Sequence, residues 1–363
     1  MKVLIVQRLL MPYRLKFFNT LDLSLGGNLS IIYGQRHSLE KNNIKDIHIR
    51  HENYYKIKNF YLGGLNNYIL YQLGVLKIFC KLKPEVIILE YNPRIASNIL
   101  WILLAILFRK KLILWGLGIL ANQEKSSIKK FIYKIYSFRA DAILCYSSFG
   151  KHSLLNVGIE EKKIKVVYNS TVNPNPATPN RITSKLKDNS FTFDNPLKLI
   201  FIGRLIKSKD IDLLTHFIES SPLPVQLDVY GDGPMLSELK KQNNSKTFFH
   251  GNVSQDELSE PLFNAHFCLL PGRGGLAIQH AMAHGCPVIC GIADGTQDDF
   301  IKNEINGYVA SDDYFYVLEN ILQKSINNPE HIYKLSYAAY EQILQYNVDT
   351  MTEKFRNAID ANL

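Results

Sequence analysis

Residues 199–309 hold the side chains and turns whose chemistry is easiest to read. An apolar run, Leu199-Ile-Phe-Ile, ends in Gly203-Arg204-Leu205, and Lys209 follows the arginine closely. A second run ends in Val229-Tyr-Gly231-Asp-Gly233-Pro234. A third ends in Leu269-Leu-Pro271-Gly272-Arg273-Gly274-Gly275-Leu276 and leads to His280. Each piece reads strand, glycine turn, helix start. Such turns point backbone N–H groups and the positive end of a helix at an anion. Arg204 offers a planar fork for a bidentate bond to phosphate, and Lys209 a point charge. Together they suit a pyrophosphate.

If that pyrophosphate leaves a nucleotide sugar, charge grows on it as the bond to the anomeric carbon breaks. Preorganised cations and N–H dipoles can meet that charge without a metal. Arg204 and Lys209 are therefore the candidate catalytic residues. The candidate donor-binding positions are Gly203, Gly231, Gly233, Pro234, Gly272, Arg273, Gly274, Gly275, Leu276 and His280. Glycine at 274 and 275 would let the backbone approach the donor, since no Cβ intervenes. The competing readings are an exposed ion pair for Arg204, a purely structural turn at 231–234, and a packed histidine at 280. Asp210-Ile-Asp212 matches the Asp-x-Asp pattern of metal-dependent transferases. It sits at a helix start, where acids favour the helix dipole, so it is read as capping. No cluster has metal-ligand spacing, and neither metal nor cofactor is expected.

The elements that must carry these residues follow from hydrophobic patterning. The first half has short apolar strands at residues 2–6, 29–33, 86–89, 111–115, 142–145 and 165–168, separated by helix-length stretches. That alternation indicates a parallel sheet covered on both faces. Residues 171–196, with Pro174, Pro176, Pro179 and Pro196 among Asn, Ser and Thr, have the composition of a linker. Alternation then resumes. The expected fold is α/β, with two doubly wound Rossmann-like domains facing across a cleft and ligands at the carboxyl ends of the strands. The first domain takes 1–170 and the linker 171–196. The donor domain takes 197–345, and 346–363 forms a closing helix that crosses back. In the first domain Pro12, Tyr13 and Arg14, with Arg8, follow the first strand; Glu90, Asn92 and Arg94 follow the strand at 86–89. These are the acceptor-side candidates, although a loop salt bridge would explain Arg94 equally well.

The chain has 363 residues, 46% of them hydrophobic and 21% charged, ordinary for a globular protein of two domains. Its net charge of +9 conceals an asymmetry. Residues 1–170 carry 26 Lys and Arg against 10 Asp and Glu; the remainder carries 16 against 23. A basic half suggests an anionic partner surface, and the cytoplasmic leaflet of a membrane is a candidate, each nearby Lys or Arg contributing about 1 kcal/mol. Nucleic acid has only charge in its favour and is not expected. Five cysteines, odd in number and without paired spacing, fit a reducing cytoplasm. Residues 1–6 are too short an apolar run for a signal core. The longest apolar run, Ile99–Phe108, is about half of the roughly 20 residues a membrane span needs and reads as a buried core helix. Residues 127–139 place Ile128, Phe131, Ile132 and Ile135 on one helical face, with Lys129, Lys130 and Lys134 interleaved with Tyr133 and Tyr136. That helix either rests on an anionic membrane or packs inward with a basic outside. No Gly-x-Gly-x-x-Gly follows the first strand, which disfavours a nicotinamide dehydrogenase.

The second half resembles the donor domain of glycosyltransferase family 4, enzymes of the two-domain GT-B architecture. The resemblance rests on Gly203-Arg204 with Lys209, Gly231-Asp-Gly-Pro234, Phe249-His-Gly251-Asn-Val253, the glycine turn at 272–276, Ala281-Met-Ala with Gly285-x-Pro287, and Glu304-x-x-Gly307. It extends more loosely to Pro12-Tyr-Arg14, Asn169 and the closing stretch 348–359. It implies a cytoplasmic hexosyltransferase that is metal-independent and retaining. A nucleoside-diphosphate sugar would be its donor and a saccharide or lipid-linked saccharide its acceptor, in O-antigen, capsule or lipopolysaccharide synthesis, peripheral to the inner face of the plasma membrane. Two departures stand out. The family's glutamate pair, with seven residues between its members, is replaced here by Gly272 and His280. Trp115-Gly-Leu-Gly118 also stands where relatives commonly have a histidine, so no general base is named. The alternatives are a nucleotide-sugar epimerase on the same fold and a non-catalytic nucleotide-sugar binding subunit.

Overall fold

The computed structural model describes residues 1–38, 52–64, 68–119, 127–175, 178–185, 190–242, 244–272, 274–292, 295–310 and 313–361. The chain divides into two compact units, Met1–Asn169 with Val348–Leu363, and Ser170–Asn347.

Unit 1 is built on strands β1 (Val3–Leu9), β2 (Leu29–Gly34), β3 (Tyr54–Lys56), β4 (Asn59–Leu62), β5 (Ile69–Gln72), β6 (Val86–Glu90), β7 (Lys111–Gly116), β8 (Ala142–Cys145) and β9 (Ile164–Val166). Seven of them form a parallel sheet in the order β3-β2-β1-β6-β7-β8-β9, and β4 pairs with β5 in a separate antiparallel hairpin. The central strands are apolar along their whole length, as both-sided burial requires; Val86, Ile87, Ile88 and Leu89 are fully buried. Helices α1 (Leu15–Ser24), α2 (Val75–Leu82), α3 (Asn98–Leu107), α4 (Ser127–Phe138) and α5 (Ser148–Leu155) connect them. The buried sides of α2, α3, α4 and α5 share one core beneath the sheet, through Phe79, Trp101, Tyr133 and Leu154. α1 lies in a second core on the opposite face. Two sequence expectations change here. α3 is not buried all round: Trp101, Leu104 and Ala105 turn inward, while Ile99, Leu103 and Leu107 are exposed. In α4 the inward side chains are Tyr133 and Tyr136, and Phe131 and Ile135 are exposed. The tyrosines win the inward side because they find partners there: Tyr136 Oη donates to the Ile95 carbonyl (3.2 Å), and the Tyr133 ring meets Tyr91 edge-on at 5.0 Å.

Unit 2 uses β10 (Leu197–Ile202), β11 (Val225–Tyr230), β12 (Thr247–Gly251), β13 (Phe267–Leu270), β14 (Val288–Gly291) and β15 (Gly307–Ala310), all parallel, in the order β12-β11-β10-β13-β14-β15. Its helices are α6 (Thr178–Lys185), α7 (Ile211–Ser220), α8 (Leu236–Leu239), α9 (Ser259–Asn264), α10 (Leu276–Ala283), α11 (Gln297–Phe300), α12 (Tyr314–Asn327) and α13 (Pro329–Ile343). The stretch 171–196 is not a plain linker. It contains α6, which belongs to unit 2 and packs on α9 and α13. Ile182 is buried there and fills the space a Cβ on Gly285 would need, and Arg181 forms two hydrogen bonds of 2.7 and 2.6 Å to Glu260. Proline at the first turn of a helix is compatible with helix formation, so the proline-rich composition misleads.

The last helix, α14 (Val348–Asp360), returns to unit 1 and joins the core of α1. Val348, Met351, Phe355 and Ile359 recur at helical spacing and are buried. Phe355 is fully buried, with ring centroids 4.8 Å from Phe17 and 5.0 Å from Trp115. Replacing Phe355 by alanine leaves a cavity between these rings and is expected to cost unit 1 about 3–5 kcal/mol in urea unfolding. An exposed substitution on the same helix, Glu353→Ala, stays within about 0.5 kcal/mol.

Candidate active site

In an open parallel sheet the ligand crevice forms where strand order reverses, at the carboxyl ends of the strands. Unit 2 reverses between β10 and β13, because β10 has β11 on one side and β13 on the other. The residues singled out from sequence leave these strands at that point. Gly203 and Arg204 follow β10, Gly231 to Pro234 follow β11, and Gly272 to Gly275 follow β13.

The loop 203–209 is gripped from both sides. Towards β11, a Cβ on Gly231 would run into the carbonyl oxygen of Gly203, and one on Gly233 would lie 2.7 Å from the carbonyl carbon of Leu205. Gly231 also has φ of +147°, a conformation L side chains rarely adopt. Backbone bonds tie the same seam, from Gly203 N–H to the Tyr230 carbonyl (3.0 Å) and from Leu205 N–H to the Asp232 carbonyl (3.0 Å). Towards β13, a Cβ on Gly272 would lie 2.5 Å from the Ser208 carbonyl oxygen and 2.8 Å from Lys209 Cα. The loop closes on itself through Lys209 N–H to the Ile206 carbonyl (2.9 Å). Glycine is needed here for close backbone packing.

Within this frame Arg204 is exposed, and among the described residues it has no acidic partner. The ion-pair reading of that arginine is therefore set aside. The Lys209 side chain passes over Gly203, its Cε 3.9 Å from where a Cβ would stand, and its charge reaches the Cys268 thiol on β13. Pro234 is exposed and leads into the short helix α8. Gly275, φ +57°, is the N-cap of α10, with open space where its Cβ would be and no side chain capping the helix. Gly274 is different: a Cβ there would meet the Ile278 side chain at 2.8 Å, not main chain. Leu276 begins α10, half-buried. Arg273 lies outside the described residues. Asp210 is the N-cap residue of α7 in left-handed conformation and makes no side-chain cap, while Asp212 stands in the first turn, as the helix-start reading expected, and also pairs with Lys207. No group of three or more His, Cys, Asp or Glu among the described residues could hold a metal ion.

His280 is buried on α10, 8% exposed, with the His284 ring edge-on at 5.2 Å. Burial, with His284 adding to it, pushes its imidazole down to about 4, so it is neutral at pH 7. His284 is itself held by Ser259 Oγ (3.2 Å) and the His280 carbonyl (2.8 Å).

The switch point of unit 1 lies between β1 and β6. Pro12, Tyr13 and Arg14 form a one-turn helix after β1. Arg14, expected as an acceptor contact, turns inward instead. It donates to Gln7 Oε1 (2.6 Å) and Tyr146 Oη (2.7 Å), and its guanidinium carbon lies 4.2 Å from the Trp115 ring centre. Burial opposes its charge, but Tyr146, Tyr13 and Glu90 outweigh that and hold it protonated. Arg14 braces the strand ends from within. Glu90 accepts from the Arg8 N–H (2.9 Å) and from Asn92 Nδ2 (3.3 Å), and Asn92 Oδ1 accepts from the Arg94 N–H (3.1 Å). Arg94 is exposed, and no carboxylate among the described residues pairs with it, which removes the salt-bridge reading. It lies 5.5 Å from the Tyr68 ring, with Arg8 5.9 Å from the same ring. Tyr68 was missed from sequence because the β4–β5 hairpin that presents it carries no strong strand signal. Gly116 and Gly118, where a histidine would be sought, have no room for side chains: a Cβ would lie 2.9 Å from Tyr91 Cβ and 2.7 Å from the Gly150 carbonyl oxygen, respectively.

With that geometry established, similarity to known proteins is informative. In solved structures, Anabaena Alr3699/HepE in complex with UDP matches with a TM-score of 0.74 at 16% identity, covering 99% of this chain and 100% of that one. The lipopolysaccharide outer core galactosyltransferase WaaB, apo form, matches with a TM-score of 0.72 at 17% identity over 100% of both chains. The fold is GT-B. Residues 183–342 match the family described as glycosyl transferases group 1, nearly the whole of unit 2. The O-antigen biosynthesis glycosyltransferase WbnH of Escherichia coli is 28% identical over 219 residues, 58% of this chain and 59% of that protein. A Klebsiella pneumoniae protein described as an uncharacterized 41.2 kDa protein in the cps region is 27% identical over 176 residues, 46% of each. The chain thus spans about half the length of the curated relatives it matches.

Two measurements probe the site. Gly231→Ala should destabilise unit 2 by at least about 2 kcal/mol in urea unfolding, from strain and forced displacement of the Gly203 carbonyl. The depressed His280 has a defined sign. Its unfolded value is near 6.5 and its folded value about 4, so the unfolded chain binds the extra proton between them. Its contribution is complete above pH 6.5 and is lost as pH falls towards 4. Between pH 7 and 5 the loss is about 2 kcal/mol. His280→Gln should flatten that part of the pH profile; an unchanged slope would show that His280 is not buried neutral.

Proposed function

We propose that this chain is a glycosyltransferase of family 4. In this reading it moves a sugar from a nucleoside-diphosphate sugar to a saccharide or lipid-linked saccharide in surface polysaccharide synthesis. The observation that carries the reading is the doubly gripped loop 203–209, which holds an exposed Arg204, with no acidic partner among the described residues, and the half-buried Lys209 at the switch point of unit 2. An unpaired guanidinium fixed at a strand end is what a pyrophosphate leaving group requires. The match of 183–342 to glycosyl transferases group 1 supports the reaction class. A neighbour solved with UDP supports the donor class, and a relative named for O-antigen biosynthesis supports the setting.

In this mechanism Arg204 and Lys209 bind the two phosphates, and the uncapped start of α10 at Gly275 offers its N–H groups to the same charge. As the anomeric bond breaks, charge passes to the terminal phosphate oxygen, and these groups hold it more strongly than they hold the ground state. Neutral His280 can hydrogen-bond a donor hydroxyl without adding charge. The acceptor oxygen bonds to the anomeric carbon as the bond to the diphosphate breaks, its proton passes to the departing diphosphate, and the reading assigns retention of configuration and no metal. Glu90, Asn92 and Arg94 are the acceptor-side contacts of unit 1, at the inner face of the plasma membrane.

Nucleoside-diphosphate release from a panel of nucleotide sugars, with and without saccharide acceptor, tests the proposal. Arg204→Ala should lower acceptor-dependent release at least about tenfold, since one charged hydrogen bond contributes about 1.5–3 kcal/mol. Arg204→Lys should recover part of it. Binding of nucleotide sugar without turnover on any acceptor would indicate a binding subunit, and acceptor-independent conversion of the sugar an epimerase; either result defeats the transferase reading.

A further inference from the structure

α2, α3 and α4 lie on the same side of the unit 1 sheet, because β6, β7 and β8 are added successively in one direction. Their inner sides are fully used in a shared core. Their outer sides carry exposed apolar side chains as well, beginning with Leu76 on α2. Ile99, Leu103 (56% exposed) and Leu107 (73%) form a stripe along α3, and Phe131 (63%), Ile135 and Phe138 (78%) a stripe along α4. The β4–β5 hairpin continues the surface with Phe60, Leu62, Ile69 and Tyr71 exposed. It is tied to the start of α3, since Leu70 N–H donates to the Arg94 carbonyl (2.8 Å) and Gln72 N–H to Ser97 Oγ (3.2 Å). Single exposed apolar residues are ordinary on a protein surface, but contiguous stripes on neighbouring elements mark a contact surface.

The charges around it identify the contact. Residues 53–140 hold 14 Lys and Arg against three acids. Of those acids, Glu85 is engaged by the N–H of Lys2 and the chain's N-terminal ammonium, Glu90 by the N–H of Arg8, and Glu124 lies outside the described residues. Lys77, Arg109, Lys130, Lys134 and Arg139 stand on or beside the apolar stripes. Protein–protein interfaces are depleted in lysine, whereas apolar and aromatic side chains bordered by Lys and Arg match the boundary between lipid headgroups and acyl chains. Among the described residues no helix is long and apolar enough to cross a membrane, so the surface would lie on the bilayer.

We propose that the outer face of α2, α3 and α4, with the β4–β5 hairpin, is the surface by which unit 1 lies on a bilayer of anionic lipid. The inference sharpens the membrane-proximal part of the proposed function and is independent of the donor chemistry in unit 2. Membrane contact so placed seats Phe131, Phe138 and Leu107 among the acyl chains, with the lysines at phosphate depth.

The test is flotation of the full-length protein with vesicles of phosphatidylcholine alone or with about a third phosphatidylglycerol, at low and high salt. Partition onto the anionic vesicles is expected, weakened by salt and absent on neutral ones. Leu107→Ser with Phe131→Ser, and separately Lys130→Glu with Lys134→Glu, should each lower partition at least about tenfold with an unchanged melting curve. The charge pair keeps the test decisive should the apolar pair disturb folding. Absence of partition, or partition indifferent to both pairs, overturns the proposal. So does a self-association in sedimentation that the apolar pair abolishes, since a second copy would then cover the face. Nucleoside-diphosphate release with a soluble acceptor is expected to be the same in all variants. Release without vesicle binding sinks this inference alone; vesicle binding without release sinks the donor reading alone.

Discussion

The arrangement in unit 2 depends on one steric constraint: three strand-end turns approach each other more closely than any side chain allows. The β10 loop passes between Gly231 and Gly233 on one side and Gly272 on the other, and at each contact a Cβ would meet main chain. Main chain cannot rotate away as the end of a flexible side chain can. The loop's path is thus set by its neighbours, and Arg204 and Lys209 emerge from a backbone that packing has already fixed. Preorganisation matters for a charge-stabilising site, because cations held in place before reaction need no reorganisation as charge develops.

Gly272 carries a second consequence of the same constraint. The space a carboxylate would need is occupied by the backbone of Ser208 and Lys209. An acidic side chain at 272 would displace the residue that supplies the ammonium. The glycine is accordingly part of how Lys209 is placed. In unit 1 the strand ends are braced differently, by Arg14 between Gln7, Tyr146 and Trp115, and by Asn59 and Gln72 hydrogen-bonded across the hairpin at 3.2 Å. Unit 1 thus adds buried polar side chains to the close backbone packing that both units use at strand ends.

What the sequence revealed follows from what local pattern encodes. Most parallel strands of both sheets were legible because both-sided burial demands continuous apolar runs, although the edge strands β3 and β15 were not picked out, and the turns of unit 2 were legible because glycine spacing is a backbone requirement. The β4–β5 hairpin was not, since its exposed Phe60, Leu62, Ile69 and Tyr71 break the alternation that marks a half-buried strand. Helix α6 was hidden by proline and polar composition, although Ile182 anchors it. Orientation was the hardest property to read. In α4, Tyr133 and Phe131 are both compatible with either side by hydrophobicity, and only the hydrogen-bonding and ring partners at Ile95 and Tyr91 select the tyrosines for the core. Arg14 misled for a related reason: an arginine in a loop is read as exposed unless tertiary partners are visible.

The electrostatics of unit 2 bear on how a transfer reaction would be divided there. Close to the switch point the charges are cationic, and the histidine on α10 is neutral. Among the described residues at 203–209, 231–234 and 272–280, the acids are absent save Asp232, whose Oδ1 is engaged by the Gly233 N–H at 2.7 Å. Such a site is suited to holding negative charge on a departing diphosphate and poorly suited to pairing with positive charge on a sugar ring. Lowering the barrier by about 1.4 kcal/mol per tenfold in rate would then have to come chiefly from the leaving-group side. The diphosphate itself would remain, after bond cleavage, as the anion nearest the developing cation. In that arrangement the protein fixes the phosphates, and the phosphates in turn supply the negative charge that no side chain at 272 or 280 provides.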